Sequence, residues 1–164
     1  MDSKDFKKVI IDRLSAYLKT KQFKKKGNVF SLSNGDLTYY IGLQSSQSSN
    51  TDILKVTVNT EIASEMISKL DDSSLPLEHQ RHYNRRIGSY LNNQQDKWWV
   101  VDSYDVAEEA ADEIVSIIYE KVIPKFDQLK STNDLASLWK NGGYIGITDR
   151  QRKNYLSLLE NTDK

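Results

Sequence analysis

The chain lacks cysteine altogether and contains only two prolines and seven glycines among its 164 residues. Without cysteine it can form no disulfide, thiolate nucleophile, zinc–thiolate site or iron–sulfur site, and this composition suits a reducing compartment. No apolar run approaches the roughly 20 residues that a membrane-spanning helix needs, and the N-terminus lacks the apolar segment of a signal peptide. We therefore expect a soluble, cytoplasmic protein that does not enter a membrane.

A net charge of either sign is missing as well, because 23 basic and 23 acidic side chains balance. The charges are nevertheless uneven along the chain. Residues 1–30 carry nine Lys or Arg against three Asp, whereas residues 102–120 carry seven acids and no Lys or Arg. Two such helices can pair loosely through exposed ion pairs, which are common and weak, or they can steer a charged partner. We expect the pairing and keep steering as the alternative.

Hydrophobic spacing predicts an N-terminal helix over residues 3–22, since apolar side chains recur there at intervals of three and four. The lysine-rich segment that follows ends at Gly27, which we interpret as a helix stop. Alternation of apolar and polar residues then predicts three strands, over residues 29–32, 37–44 and 54–62. Asn34-Gly35 joins the first two as a strong hairpin signal, and the third strand is expected to run antiparallel to the second.

The second half of the chain is predicted to be mainly helical. The predicted elements are a short helix within 61–70, a helix over 77–91, a strand over 98–101, and helices over 103–122, 131–139 and 149–159. Pro124 lacks a backbone donor, so the long helix is expected to kink or restart there. Ser131 and the pair Thr148 and Gln151 are typical N-terminal caps.

These elements predict a single α+β domain over residues 1–164. Its sheet is expected to be four-stranded and mainly antiparallel, with helices packed chiefly on one face. The C-terminal helix, over about residues 149–159, is placed at the periphery of the domain.

Motifs for common chemistry are absent. The chain has no Gly-x-Ser-x-Gly nucleophile elbow and no glycine-rich phosphate loop that ends in Lys-Ser/Thr. His79 and His82 lie three residues apart on a predicted helix, but a metal would need a third ligand from Asp71, Asp72 or Glu78. Two surface histidines explain this spacing better than a metal site. We expect no catalytic residue, no metal and no cofactor, and an enzyme is the less favoured interpretation.

The segment around Arg85 and Arg86 is the best place to look for a ligand. Arginine binds carboxylates and phosphates through two parallel hydrogen bonds. Together with His82 and with Gln44, which lies at a strand exit, these side chains form the candidate ligand site. Such a site requires a concave pocket on which Arg86, Gln44 and an aromatic side chain converge.

The acidic side chains of the long helix offer a second candidate surface. Glu108, Glu109 and Asp112 are the residues that we expect to face a basic protein partner. The same helix also supplies the alternative explanation of the arginines, because Arg86 could pair internally with Glu109 or Glu113.

Trp98 and Trp99 are neighbours on a predicted strand, so their side chains should point to opposite faces of the sheet. One is expected in the core, and the other is either covered or available as a contact site. Nucleic acid is not expected as a partner, because the net charge is zero and no known binding motif is present.

Four short stretches, taken in their order, resemble a known family. They are residues 23–30 (FKKKGNVF), 41–46 (IGLQSS), 86–88 (RIG) and 96–99 (DKWW). Their order resembles the bacterial family of domains of unknown function numbered 4304, over roughly residues 10–129. Where that pattern leads us to expect Asn, this chain has Gly42. The resemblance implies an intracellular bacterial α+β domain, and it supplies no activity, substrate or catalytic residue.

The leading functional hypothesis is a non-enzymatic protein-interaction domain of the bacterial cytoplasm, of the kind that can neutralise a toxin. Its partner would be a protein, and a basic one if the acidic helix is the contact surface. The alternative is a domain, or a weak enzyme, that binds a small ligand or anion near Arg85 and Arg86.

Overall fold

The computed structural model describes residues 1–71, 80–142 and 146–162. Its strands are β1 (Lys24–Lys26), β2 (Val29–Asn34), β3 (Leu37–Ser45), β4 (Leu54–Ser64), β5 (Tyr83–Arg86) and β6 (Trp99–Val101). Its helices are α1 (Ser3–Thr20), α2 (Glu65–Leu70), α3 (Tyr104–Ile117), α4 (Ile123–Gln128), α5 (Thr132–Lys140) and α6 (Asp149–Thr162). A 3-10 helix (Ile87–Tyr90) follows β5, and a π turn (Ile118–Val122) joins α3 to α4.

The six strands of the described residues form one antiparallel sheet. The first four follow one another as a meander, and β4 pairs along its far edge with both β5 and β6. The predicted combination of helices with an antiparallel sheet is confirmed, including the antiparallel pairing of β3 with β4. The prediction of four strands is wrong, because no strand was predicted at β1 and because β5 was expected to be part of a helix.

One face of the sheet is covered by helices and forms the core. The inward side chains of β3 and the apolar stripe of α1 are buried together: Leu37, Tyr39, Ile41, Leu43, Phe6, Ile10, Leu14 and Leu18. α1 packs against both α3 and β4, and α3 also contacts β6. Each large apolar side chain that is buried here stabilises the fold by about 1.5–3 kcal/mol relative to exposure.

The α-helix predicted over 77–91 is wrong: Tyr83–Arg86 is a strand, and of the described part only Ile87–Tyr90 is helical, as a 3-10 helix. Tyr83 and Arg85 point inward while Asn84 and Arg86 point outward, and the segment pairs with β4 as strand β5. Three- and four-residue spacing of the apolar side chains favoured a helix, but the unpaired edge of β4 offered backbone hydrogen bonds that a helix would leave unmade. Residues 72–79, which include His79, Asp72 and Glu78, lie outside the described residues.

The interpretation of Gly27 as a helix stop is also wrong. α1 ends at Thr20, and the lysines before Gly27 form strand β1, which pairs with β2 through a tight turn. Gly27 occupies that turn with a φ of +63°, a backbone conformation that L side chains rarely adopt. Gly27 therefore forms part of the hairpin turn between β1 and β2.

The caps predicted from sequence are confirmed. Ser131 accepts a hydrogen bond from the backbone N–H of Asp134, and Thr148 and Gln151 form the reciprocal capping box at the start of α6. The long helix restarts at Pro124, as predicted. The π turn before α4 accommodates the backbone donor that Pro124 lacks. None of the helices in the described residues is long and apolar enough to cross a membrane.

The far edge of β4 is interrupted, and this interruption positions the candidate site. Arg86 of β5 pairs with Asn59, and Trp99 of β6 pairs with Val56, so both short strands continue in one direction along β4. Between them, residues 87–98 leave the sheet opposite Thr57 and Val58, and we call this segment the interruption. It returns where Thr57 Oγ1 donates to the backbone oxygen of Lys97 at 2.6 Å.

Candidate functional site

The outward side of the sheet, which we call the open face, carries half-buried and exposed side chains in rows across the strands. One row is Lys26, Val29, Gly42, Asn59 and Arg86, and the next is Lys24, Ser31, Tyr40, Glu61 and Asn84. Paired residues of antiparallel strands project to the same side, so each row is a line of neighbours. The outward, mainly polar residues of the alternating strands therefore form one continuous surface.

A cleft of about 350 Å³ opens where the interruption leaves this face. It is lined by Asn59, Asn84, Arg86, Ser89, Gln94, Asp96 and Gly146, all of them polar residues apart from the glycine. Gly146 has a φ of +69°, and a side chain there would lie 1.6 Å from the backbone oxygen of Asn84. Only glycine allows this wall to close on β5. The cleft suits a polar group rather than an apolar ligand.

Arg86 is the cation of the cleft. Its Nη1 donates to Asp96 Oδ2 at 2.8 Å and its Nε to Asn59 Oδ1 at 3.4 Å, while its guanidinium carbon lies 5.2 Å from the centre of the Trp98 ring. Among the described residues, no acceptor bonds Nη2. The Arg86 and Asp96 side chains are 39% and 48% exposed, so their ion pair is weak. Arg86 therefore keeps donors for an oxygen of a ligand.

Asp96 is the anion beside it. Partial burial alone would raise the pKa of its carboxyl, but the hydrogen bond from Trp98 Nε1 and the Arg86 guanidinium outweigh burial and hold the pKa below its usual value. Asp96 is thus ionised at neutral pH. The positive group of Arg86 and the negative group of Asp96 therefore lie side by side in the cleft.

Gln44 takes part indirectly. Asn59 Nδ2 donates to Gln44 Oε1 at 2.7 Å, which turns Asn59 Oδ1 towards Arg86. Gln44 therefore positions Asn59, and Asn59 lines the cleft. Of the three features required of a ligand site, Arg86 lines the cleft, whereas Gln44 and the aromatic ring of Trp98 adjoin it through their contacts with Asn59 and Arg86.

Arg85 and Arg86 lie on opposite faces of β5, so the structure does not bring them together. Arg85 donates from Nε and Nη2 to Ser89 Oγ and to the Ser89 backbone oxygen, at 3.0 and 2.7 Å, and it lies 4.0 Å from the centre of the Tyr90 ring. Ser89 Oγ in turn donates to the backbone oxygen of Arg86 at 2.7 Å. Arg85 therefore fastens the 3-10 helix onto β5.

His82 is buried away from the cleft. Its Nδ1 accepts the Ser64 backbone N–H at 2.8 Å, and its ring packs edge-on against Tyr155 of α6 at 5.1 Å. Burial, and in smaller part the charge of Arg81, lower its pKa to about 4, so the ring is neutral. No three His, Asp or Glu residues within 1–71, 80–142 and 146–162 are grouped to hold a metal. His82 thus lies in the core, and the expectation that it is a surface histidine is wrong.

The acidic side chains of α3 are partly paired within the molecule. Arg13 of α1 forms ion pairs with Asp112 and with Glu108, the latter at 3.9 Å, and Tyr104 Oη donates to Glu108 at 2.7 Å. Glu109 is exposed. The expected loose pairing of α1 with α3 is therefore present for two of the three candidate partner-binding residues.

The internal pairing proposed for Arg86 has a different partner from the one expected. Arg86 binds Asp96 of the interruption, whereas Glu113 of α3 accepts from Trp99 Nε1 at 3.0 Å and pairs with Lys97 at 3.4 Å. The expectation that it pairs with Glu109 or Glu113 is wrong. Arg86 and the acidic side chains of α3 lie on opposite sides of the sheet, because Arg86 faces outward and α3 packs on the inward face.

The two tryptophans point to opposite faces, as predicted. Trp99 is buried in the core, and Trp98 lies half-buried on the open face. Lys55 Nζ lies 5.5 Å from the centre of the Trp98 ring, and Arg86 approaches the same ring. Trp98 is thus the aromatic component of the site.

Sequence reasoning missed most of the residues that line the cleft. Asn59 could have been found from its outward position in the β4 alternation. Gln94 has a φ of +52°, which is uncommon outside glycine and is a feature of functional turns, yet no sequence pattern marks it. Asp96 and Gly146 reach the cleft only through the path of the interruption and of the chain before α6.

A model of the family described as a domain of unknown function, DUF4304, matches residues 14–128. No curated protein matches the chain, and no solved structure matches it. The matched part contains Asn59, Arg86 and Asp96, whereas Gly146 lies beyond it. The chemistry of the cleft must therefore be argued from its own geometry.

Proposed function

Because this chain belongs to the DUF4304 family, a family of domains of unknown function, we propose its role from the cleft: it is a binding module for a polar, anionic group at Arg86. The observation that supports this most is the state of the Arg86 side chain. It lines an open cleft; among the described residues its ion pair is the exposed one with Asp96, and none of them bonds its Nη2. A carboxylate or phosphate oxygen can take those donors.

The surroundings favour binding over catalysis. Ser89, the hydroxyl of the cleft, is occupied by Arg85 and by the backbone oxygen of Arg86, and His82 is buried elsewhere. No group described in the cleft combines a nucleophile with an adjacent base. The amides of Asn59, Asn84 and Gln94 instead supply hydrogen bonds that orient a bound polar ligand.

The test is a titration with defined anions, namely inorganic phosphate, succinate and a nucleoside monophosphate, followed by amide chemical shifts. Binding at the cleft should shift the amides of Asn59, Ser89 and Gly146 and leave those of α1 unchanged. Arg86→Ala should weaken the affinity by about tenfold or more, since a charge-assisted hydrogen bond to the ligand is lost. Arg150→Ala, at an exposed arginine of α6, is the matched control. Unchanged affinity in Arg86→Ala would remove the proposal.

A second candidate is a protein-interaction role for the outward surface of α3, as in a toxin-neutralising protein of the bacterial cytoplasm. It is favoured by Tyr104 at the start of α3 and Tyr119 in the π turn after it, which are 45% and 61% exposed, because tyrosine is a frequent interface anchor. The charge of this surface suits a basic partner. It is a proposal on a surface that Arg13 already neutralises in part.

The pairing with Arg13 decides how this second candidate is tested. Reversing Glu108 or Asp112 would also break an ion pair between α1 and α3, so Glu109→Lys and Asp105→Lys are the cleaner changes. A complex formed on α3 should be salt-sensitive and should be lost in these two variants while Arg86→Ala keeps it. A complex that survives both reversals is formed elsewhere.

A further inference from the structure

The open face concentrates positive charge, although the whole chain has none in excess. Five cations project from it or stack on it, and the acidic side chains of the described residues that pair with them are Glu61 and Asp96. The cations are Lys24, Lys26, Lys55, Arg81 and Arg86. They come from separate stretches of the chain, so only the register of the sheet gathers them. Such a surface attracts a polyanion.

Planar groups accompany these cations. The guanidinium carbon of Arg81 lies 3.9 Å from the centre of the Tyr40 ring, and Arg81 Nε is 2.9 Å from Glu61. Arg86 and Lys55 similarly lie over the ring of Trp98. Stacked guanidinium and aromatic planes hold their charges in place and present flat surfaces on which a base can stack.

The row from Lys26 to Arg86 connects the two ends of this surface. Four strand-to-strand steps separate them, or roughly 19 Å at about 4.8 Å each. Gly42 lies in the middle of the row and has no side chain, so the row is lowest between Val29 and Asn59. An extended chain can lie across the strands here, from the lysines of β1 to the cleft.

We propose that the open face binds single-stranded nucleic acid, with backbone phosphates on Lys24, Lys26 and Lys55 and one phosphate in the Arg86 cleft. The proposal rests on the proposed function, because it names the anion of that cleft as a phosphate of a polymer. Bases would stack on the Arg81–Tyr40 and Arg86–Trp98 pairs, and the amides of Gln44 and Asn84 would meet base edges.

Nucleic acid fits this surface better than an acidic polypeptide does. A chain of carboxylates would pair with the lysines but has no flat ring to place on the stacked planes. Duplex ends or grooves are not required, since the face is a short sheet with half-buried planar groups, and single strands are commonly bound by stacking on such groups.

The test is fluorescence anisotropy with labelled oligo-dT and oligo-rU of about 15 nucleotides, at about 50 and about 200 mM salt. An oligo-glutamate peptide of equal charge is the competing polyanion. Lys24→Glu combined with Lys26→Glu should weaken oligonucleotide binding by about tenfold or more. Lys4→Glu combined with Lys19→Glu, at exposed positions of α1 on the helical side, should change it by less than about threefold.

Phosphate bound through Arg86, without oligonucleotide binding, would overturn this inference and leave the proposed function standing. Equal affinity for oligo-glutamate would assign the face to an acidic protein, and insensitivity to the change at Lys24 and Lys26 would move the site elsewhere. If the wild-type protein binds no phosphate, both proposals are wrong. Quenching of tryptophan fluorescence that disappears in Trp98→Phe is the expected sign of stacking, because Trp99 and Trp139 are buried.

Discussion

Arg86 Nη1 donates to the carboxylate of Asp96 across 2.8 Å, and this contact joins the end of β5 to the returning part of the interruption. Arg86 is the last residue of β5, and Asp96 precedes the return of the chain to β4. Trp98 Nε1 donates to the same carboxylate oxygen, so one atom of Asp96 holds both an arginine and an indole. The cleft therefore has its shape from the same pair that gives it charge.

The Arg86–Asp96 pair should contribute little to stability. Both side chains are substantially exposed, so a double-mutant cycle with Arg86→Ala and Asp96→Asn should give a coupling of about 0.2–1 kcal/mol in urea unfolding. A coupling well above that range would mean that the pair is needed for the fold and is not available to a ligand. Asp96→Asn should also raise the affinity for phosphate, because Arg86 loses its competing anion.

Gly88 and Gly42 should respond in opposite ways to alanine. A Cβ at Gly88 would lie 2.1 Å from the Gln95 backbone oxygen and 2.7 Å from the Lys97 nitrogen, so Gly88→Ala must push the interruption away and should cost roughly 1–3 kcal/mol. A Cβ at Gly42 would meet Val29 at 3.5 Å and the Asn28 backbone oxygen at 3.9 Å, both ordinary van der Waals contacts. Gly42→Ala should leave the free energy of unfolding unchanged or raise it by up to about 1 kcal/mol. Equal losses in thermal or urea unfolding would contradict this.

Thr57 should anchor the returning end of the interruption. Its buried hydroxyl donates to the Lys97 backbone oxygen, so Thr57→Val removes the donor and should destabilise by roughly 1–3 kcal/mol. Thr38→Val is the matched control. Thr38 lies on the same side of the sheet, and its hydroxyl makes an exposed hydrogen bond with the hydroxyl of Ser33. Hydrogen exchange in residues 94–98 should rise in Thr57→Val alone, and unchanged exchange would show that the anchor lies elsewhere.

His82 should make the protein less stable in mild acid. Its folded pKa of about 4 lies below its ordinary value of 6.5, so the unfolded chain binds the proton more readily. The contribution is fully present above pH 6.5 and is lost as the pH falls towards 4, by about 3 kcal/mol in total. His82→Asn, which keeps an acceptor for Ser64, should be less stable but should lose this slope between about pH 6.5 and 5. A slope that persists in the variant would point to other groups.

Local patterns that depend on neighbours in the chain were predictable. Alternation over residues 37–44 and 54–62 follows from one buried and one wet face, and it predicted β3, β4 and their pairing. The caps at Ser131 and Thr148 were predictable because a cap is a contact within four residues. Of the candidate ligand residues Gln44, His82, Arg85 and Arg86, only Arg86 lines the cleft, and a role in ligand binding remains a prediction.

Long-range partners could not be predicted in this way. Tyr83 and Ile87 have a spacing that suits a helix, and only the open edge of β4 makes that segment a strand. Nothing near His82 in sequence shows that Tyr155 will bury it, and nothing near Arg86 shows that Asp96 and not Glu113 will bind it.

The sequence by itself determined the balance of charges, the absence of thiol chemistry, the alternation that makes a two-sided sheet and the caps that start its helices. These are properties of composition and of contacts between residues a few positions apart. The tertiary structure alone decided the cleft and the charge of the open face. Strand register places Lys26, Asn59 and Arg86 in one row, so a chain with no net charge acquires a basic surface. The physical reason is that a sheet brings distant residues into contact, and its pairing is fixed by burial of the opposite face.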